Sequence, residues 1–364
     1  MYQDDAPLWD EDKDLLNAGD TARHLAGILS DMTGPESLVI GLNGPWGAGK
    51  TTVAQFVINH MTPQPQGSAD GPKTVVFNPW LFSGRGSLLH DFFSQIQSAL
   101  GHHELAWRRV VRDLVKYALV FAAKSELPHA GLPEESAQIW RTKESVARLL
   151  RDCGRRIVVF IDDIDRLTPE EARTVFWLVK SVANLPCVYY VLIYDREVVS
   201  ELIDESQPTR GYAYLARIVQ LAVDLETPDR DVIWKAFAGY IADQAGFRAV
   251  RGELEDLWKE ALGQLVPTLR HAKRVANAVQ AVLKIRGGQL GGKLLASEAL
   301  RILKPVLYDY IDRNPGAFLG NDALSLPYRD LGVDSSEEAS VNALLGIVQP
   351  CGPNGGISTD ARTA

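Results

Sequence analysis

Cysteine is scarce. Three residues, Cys153, Cys187 and Cys351, are spread over 364 positions, and their spacing suits neither a disulfide framework, a zinc ribbon nor a redox pair. That scarcity fits a reducing compartment, so a cytoplasmic location is the expectation. Long apolar runs are also missing: no stretch reaches the roughly 18 residues a membrane span requires. The nearest candidate, residues 111–127, carries Arg112, Asp113, Lys116 and Lys124 and reads as an amphipathic helix, so no membrane insertion is expected. The N-terminal stretch MYQDDAPLWDEDKD is acidic and has no apolar centre, so no secretory signal is expected. Positive charge is not in excess either. Lys plus Arg number 38 against 46 Asp plus Glu, a net charge of -8. A dominant basic surface is thereby disfavoured. Short basic clusters at Arg108, Arg109 and Arg112 and at Arg270, Lys273 and Arg274 lack interleaved aromatics and read as surface helix. Nucleic acid therefore stays open as a partner but is not favoured. No His/Cys set resembles a metal cage.

What is present is ordinary globular material, 46% hydrophobic and 23% charged, long enough for two domains or one domain with a large appendage. Residues 37–42, Ser-Leu-Val-Ile-Gly-Leu, read as a buried strand. Pro45 and three glycines break the pattern, and Thr51 to Met61 resumes with helical spacing. A surface loop over 62–73 leads to a short strand, Thr74–Phe77, ending in Asn78-Pro79-Trp80. Helices are expected over 88–100, 103–124 and 134–152. Arg156–Ile161 is a strongly apolar strand closed by Asp162-Asp163. Thr168-Pro169-Glu170-Glu171 is a helix start, with Thr as cap, Pro in the first turn and Glu171 three residues after the cap. Cys187–Tyr194 is another core strand, closed by Asp195. Apolar strands alternating with helices predict an α/β fold with a parallel sheet covered on both faces, a three-layer sandwich. Beyond about 225 only helices are expected, at 229–244, 251–265, 268–285 and 296–313. The domain expectation is therefore a core over 1–226 with a helical insertion around 85–150, a helical lid over 227–313, and a weakly structured region over 314–364 with a disordered tail.

The segment Gly44-Pro45-Trp46-Gly47-Ala48-Gly49-Lys50-Thr51 has the spacing of a phosphate-binding loop, and it lies between a predicted strand and a predicted helix. Glycines let successive backbone N–H groups turn inward toward phosphate oxygens, and the following helix adds its free N–H groups and positive end. Lys50 can reach the β- and γ-phosphates, and the Thr51 hydroxyl can ligate Mg²⁺. The loop and Thr52 form the expected nucleotide-binding set, with Trp46 packing over the loop rather than touching phosphate. Two carboxylates at the C-terminal end of a buried strand lie where ligands bind in open α/β sheets. Asp162 is expected to hold Mg²⁺ with Thr51. Asp163, on the other side of the strand, is expected to orient or deprotonate an attacking water. Capping of a loop or pairing with Arg166 is its alternative reading. Asp195 has a structural role as an equal alternative to a chemical one.

Taken together, GLNGPWGAGKTT at 41–52, FNPW at 77–80, VVFIDDIDRLTPEE at 158–171, YDREVV at 194–199, YLARIVQLAVDL at 214–225, TLRHAKRVANAV at 268–279 and LRILKPVLYDYI at 300–311 resemble the KAP P-loop NTPases, a branch of the AAA-related (ASCE) ATPases. The likeness spans roughly residues 10–313. It implies a P-loop core followed by an all-helical lid, ATP rather than GTP, and Asp163 as water activator. It places Asp195 in the sensor-strand region and Arg217 where the family usually carries Lys. It places Arg270 on a helix similar to sensor 2. The chain is similar to the soluble bacterial branch, which includes ATPase components of anti-phage defence systems. Expected, then, is Mg²⁺-dependent ATP hydrolysis coupled to conformational change and to a protein partner or homo-oligomer. A nucleotide-gated switch with little turnover, a DNA-associated ATPase, and a small-molecule or nucleic-acid kinase are the alternatives.

Overall fold

A computed structural model describes residues 2–4, 6–32, 36–62, 72–82, 156–182, 185–204, 208–314 and 327–348, with scattered positions between 88 and 151. The helices expected at 88–100, 103–124 and 134–152, the helical insertion and the tail after 348 therefore fall wholly or largely outside the described residues. The chain forms two compact units, Pro7–Glu226, and Met1–Ala6 with Thr227–Ala364.

The first unit is built on a five-stranded sheet in the order β2-β3-β4-β1-β5. The strands are β1 (Leu38–Asn43), β2 (Lys73–Phe77), β3 (Ile157–Ile161), β4 (Val188–Tyr194) and β5 (Leu221–Asp224). Every neighbouring pair is parallel, with Leu42 opposite Ile193, Val159 opposite Tyr190 and Phe77 opposite Ile161. Parallel pairing buries both faces, and the side chains divide between them. Ile40, Leu42, Val158, Phe160, Tyr189, Val191 and Ile193 pack against α1 (Ala18–Asp31) and α2 (Lys50–Met61) through Leu25, Leu29, Val53, Phe56 and Val57. Val39, Val75, Phe77, Val159, Ile161, Tyr190, Leu192 and Tyr194 face the other way. There they meet α3 (Pro169–Trp177), α4 (Arg196–Ile203) and α5 (Pro208–Ala216) through Val175, Phe176, Val199 and Leu215. Phe176 meets the Tyr194 ring edge-on, centroids 6.0 Å apart. Burying each such side chain stabilises the fold by about 1.5–3 kcal/mol. The result is the expected three-layer sandwich. Strand β5 is an addition: its four residues alternate between half-buried and exposed, too short and too mixed to stand out by apolar content.

Local chemistry sets the element ends. Thr168 accepts from the Glu171 N–H at 3.4 Å while the Glu171 carboxylate accepts from the Thr168 N–H at 3.1 Å, and Pro169 opens α3. This is the reciprocal cap read from the sequence. A π-helical turn, Leu178–Val182, extends α3.

The second unit is helical: α6 (Arg230–Ile241), α7 (Phe247–Leu257), α8 (Leu269–Arg286), α9 (Gly292–Leu303), α10 (Pro305–Arg313) and α11 (Glu338–Ile347). Trp234, Phe237 and Trp258 form an aromatic group at its centre, with Phe237 and Trp258 stacked at 5.2 Å. The single helix expected over 296–313 is two. Pro305 lacks an N–H and excludes a continuous helix, so α9 stops at Leu303 and α10 begins with Pro305 as its first residue. The region 314–364, expected to be weakly structured, supplies α11, whose Val341 and Leu344 are fully buried in this core. Residues 2–4 are held by α8. Asn277 accepts the Gln3 N–H at 2.7 Å and donates to the Gln3 carbonyl at 2.9 Å, and Lys273 donates to the Asp4 carbonyl at 2.7 Å. Among the described residues no helix is long and apolar enough to cross a membrane.

Candidate functional site

A parallel sheet collects the C-terminal ends of all its strands at one edge, where open α/β sheets bind ligands. Here that edge gathers Asn43, Phe77, Ile161, Tyr194 and Asp224. The loop 44–49 leaves β1 and turns into α2. Gly47 and Gly49 have φ of 85° and 89°, backbone that costs an L side chain strain, and this turns the chain so that α2 starts at Lys50. Ala48 donates to the Pro45 carbonyl at 3.1 Å. Among the described residues, the N–H groups of Gly47, Gly49, Lys50 and Thr51 have no acceptor. They are the donors a phosphate would satisfy.

Alternation along β3 decides which way the two aspartates point. Val158 and Phe160 face α1 and α2, and Asp162 continues that row. The Thr51 hydroxyl donates to Asp162 Oδ2 at 2.9 Å. The loop end and the strand end that the sequence put 111 residues apart thus meet. Asp162 Oδ1 accepts from the Asp163 N–H at 2.8 Å. Burial, then the charge of Asp163, and more weakly that of Asp165, push the Asp162 carboxyl above the usual carboxylate range. The hydrogen bonds from Asp163 and Thr51 act against that displacement.

Asp163 takes the left-handed backbone conformation, φ 57°, and turns its carboxylate the other way. It accepts from Asn78 Nδ2 at 2.7 Å and pairs with Arg166 Nε at 2.9 Å. Arg166 also lies over the Trp80 ring, 5.3 Å from its centroid. The pairing with Arg166 is one of the two sequence readings of Asp163; the grip of Asn78 is a finding of the structure. Register explains it: Phe77 opposite Ile161 puts Asn78 beside the two aspartates, a neighbour visible only once β2 is known to pair with β3.

Lys50 Nζ donates to the carbonyls of Gly44 at 2.7 Å and Pro45 at 3.3 Å, and lies 3.7 Å from Asp165 Oδ2. Both side chains are largely buried, at 11% and 13% exposure. Asp165 is a second residue that no spacing in the sequence singles out. Thr52 accepts the Leu8 N–H at 3.3 Å, so its hydroxyl has a structural partner. Trp46 is substantially exposed.

Asp195 caps α4, accepting from the N–H groups of Glu197 at 3.1 Å and Val198 at 3.5 Å, the structural one of its two readings. Its neighbour Arg196 pairs with Asp224, while Asn43 accepts the Arg196 N–H at 2.7 Å and donates to Asp224 at 2.9 Å. Arg217 is exposed in the turn after α5. Arg270 belongs to the second unit, at the second position of α8, and is half-buried.

Magnesium takes hard oxygen ligands and keeps several waters, sharing phosphates with one or two protein oxygens. Thr51 Oγ1 and Asp162 Oδ2 are such a pair, and a carboxylate whose charged form is disfavoured gains from a divalent cation beside it. The residues fit the ion. Among the described residues no group of three or more His, Cys, Asp or Glu is arranged to hold a metal.

The chain is 24% identical over 264 residues to the Phage T7 exclusion protein of Escherichia coli strain K12, an alignment covering 62% of this chain and 35% of that one. It spans about a third of that relative's length. Similar solved structures include the ORC2 protein of Aeropyrum pernix, at 12% identity and a TM-score of 0.43, covering 91% of this chain and 85% of that one. Another is a mutant of Thermotoga maritima RuvB, at 16% identity and a TM-score of 0.40, covering 98% and 96%. The family model described as the KAP family P-loop domain matches residues 20–286, well over half of the chain, and the protein belongs to that family.

Proposed function

We propose that this protein is a cytoplasmic Mg²⁺-dependent ATPase whose nucleotide cycle changes the shape of its helical unit and acts on a protein partner or a sister subunit. The observation that carries this reading is the 2.9 Å contact between Thr51 and Asp162, which joins the phosphate loop to the acidic strand end. Phosphoryl transfer to water depends on positioning and charge neutralisation. The free N–H groups of the loop would receive phosphate oxygens, and Lys50 would exchange the Gly44 and Pro45 carbonyls for β- and γ-phosphate oxygens. Thr51 and Asp162 would hold magnesium, which supplies charge neutralisation on the phosphates. Asp163 would orient the attacking water and take its proton. Arg217 would approach a nucleotide held by another copy or support the core, and Arg270 would act as a sensor of hydrolysis. Asp195 would act on β4 by fixing the start of α4. The likeness to a phage exclusion protein, over a third of that protein's length, supports a role in anti-phage defence. The test is turnover of ATP by the whole chain, with Asp163→Asn as comparison. Retained nucleotide binding with turnover abolished supports the reading; unchanged turnover sinks it.

One observation favours a second reading, a nucleotide-gated switch with slow turnover. Asp163 is engaged by both Asn78 and Arg166, so its carboxylate is occupied in this conformation. Water activation then requires those contacts to loosen, an event a partner can control. The same turnover assay, with and without co-purified partners, separates the two.

A further inference from the structure

We infer that Asp165 is a built-in counter-ion for Lys50 that competes with nucleotide phosphates for the ammonium and makes loading depend on a divalent cation. This rests on the nucleotide-binding reading above. The P-loop lysine is not exposed and waiting. Its ammonium is folded back on two carbonyls of its own loop and held 3.7 Å from Asp165. Among the described residues Lys50 is the one ion-pair partner of Asp165.

The charges explain why this pair matters. Three carboxylates, Asp162, Asp163 and Asp165, converge on the site and face two cations, Lys50 and Arg166. Arg166 is committed to Asp163. The nearby Arg196 is committed to Asp224. A polyphosphate that draws Lys50 away therefore leaves Asp165 without its cation, at 13% exposure, and brings more negative charge beside it. Breaking one side of a largely buried pair strands a charge that water cannot fully solvate. Two phosphate oxygens replace the carbonyls of Gly44 and Pro45 as acceptors, but nothing among the described residues replaces Lys50 for Asp165. A divalent cation brought in with the nucleotide offsets that loss. Metal-free nucleotide does not. Asp165 is thus a positioning residue: it acts through Lys50, and it penalises the metal-free ligand more than the metal complex.

The backbone builds this device. Asp163 in the left-handed region reverses the chain after β3 into the turn Ile164–Arg166. Ile164 anchors that turn as a fully buried residue. Asp165 is thereby directed to Lys50 while Arg166 returns to Asp163.

The experiment is calorimetric titration of the full chain with ATP in excess Mg²⁺ and with ATP in EDTA, for the wild type, Asp165→Asn and Asp165→Glu. Asp165→Asn should bind metal-free ATP on the order of tenfold more tightly and the magnesium complex by a smaller factor. The ratio of the two affinities then falls, while Asp165→Glu stays near the wild type. A carboxylate that only supports the fold would weaken both forms together. Equal weakening, or an unchanged ratio, overturns the proposal while leaving the nucleotide reading intact. Absence of binding by folded wild-type protein in either buffer overturns both. If circular dichroism shows that Asp165→Asn does not fold, Asp165→Ser removes the same charge and gives the same comparison.

Discussion

Replacing Asp162 by Asn should make the ligand-free protein more stable and at the same time destroy its response to magnesium nucleotide. The carboxyl is held above its ordinary range by burial and by the charges of Asp163 and Asp165. A group whose folded pKa is raised binds its proton more tightly in the folded state. Stability therefore declines as pH rises from the unfolded value, about 3.9, through the folded value, and the penalty grows toward neutral pH. Asn keeps the shape and the hydrogen bonds. Its Oδ1 accepts the Asp163 N–H, and its amide group donates to Thr51 Oγ1, whose hydroxyl can turn. Removing the charge removes that penalty, so Asp162→Asn should be the more stable form at neutral pH. Each 1 kcal/mol gained by a unit of this size shows as about 2–4 °C in Tm. Thermal unfolding of wild type and Asp162→Asn, followed by circular dichroism from pH 4 to 8, reads the effect directly. The variant should unfold at higher temperature at pH 7 to 8, and the two curves should converge toward pH 4. Adding magnesium and ATP at a hundredfold over Kd should stabilise the wild type by about 2.7 kcal/mol and the variant far less. A variant that is less stable than wild type at pH 7, or that keeps the full nucleotide response, would refute the reasoning.

Three further outcomes follow from the same geometry. Asp163→Asn should lower turnover by about 10²–10⁴-fold while leaving the dissociation constant for the magnesium nucleotide within about threefold, as read by equilibrium binding and phosphate release. Asn78→Ala removes one of the two contacts on Asp163 and should raise basal phosphate release severalfold with little change in nucleotide affinity; a fall in both would mean that Asn78 supports the fold and not the state of the aspartate. Thr168→Ala deletes the reciprocal cap of α3 and should cost about 1 kcal/mol, seen as a lower urea midpoint with an unchanged slope.

Much of the site was legible because its chemistry is local. Glycines at 44, 47 and 49 followed by Lys50 and Thr51 demand a tight turn into a helix, and an apolar run ending in two carboxylates demands a strand whose tip is polar. The cap at Thr168 was legible for the same reason, since all its partners lie within four residues. Pro305 marked the break between α9 and α10 just as locally, yet the apolar spacing of 296–313 runs through it and obscured the signal. The missed residues are those whose partners come from other strands. Asn78 meets Asp163 only through the pairing of β2 with β3. Asp165 meets Lys50 across two strands of the sheet, with β4 lying between. Asn277 lies on the amphipathic helix α8. Its partner is the backbone of Gln3, 274 residues away, and no periodicity encodes that. Asp195 had two readings of equal standing, and the hydrogen bonds to Glu197 and Val198 supply the structural one.

The central claim is that Lys50, Thr51 and Asp162 form one site for a nucleotide and its magnesium ion. Its most direct test is equilibrium dialysis of the folded chain against labelled ATP with and without Mg²⁺, repeated for Lys50→Ala and Thr51→Ala. The account predicts one nucleotide bound per chain, tightened by magnesium, with binding lost in Lys50→Ala and the magnesium enhancement lost in Thr51→Ala. Uptake that is absent in the wild type, or that neither substitution alters, would contradict it.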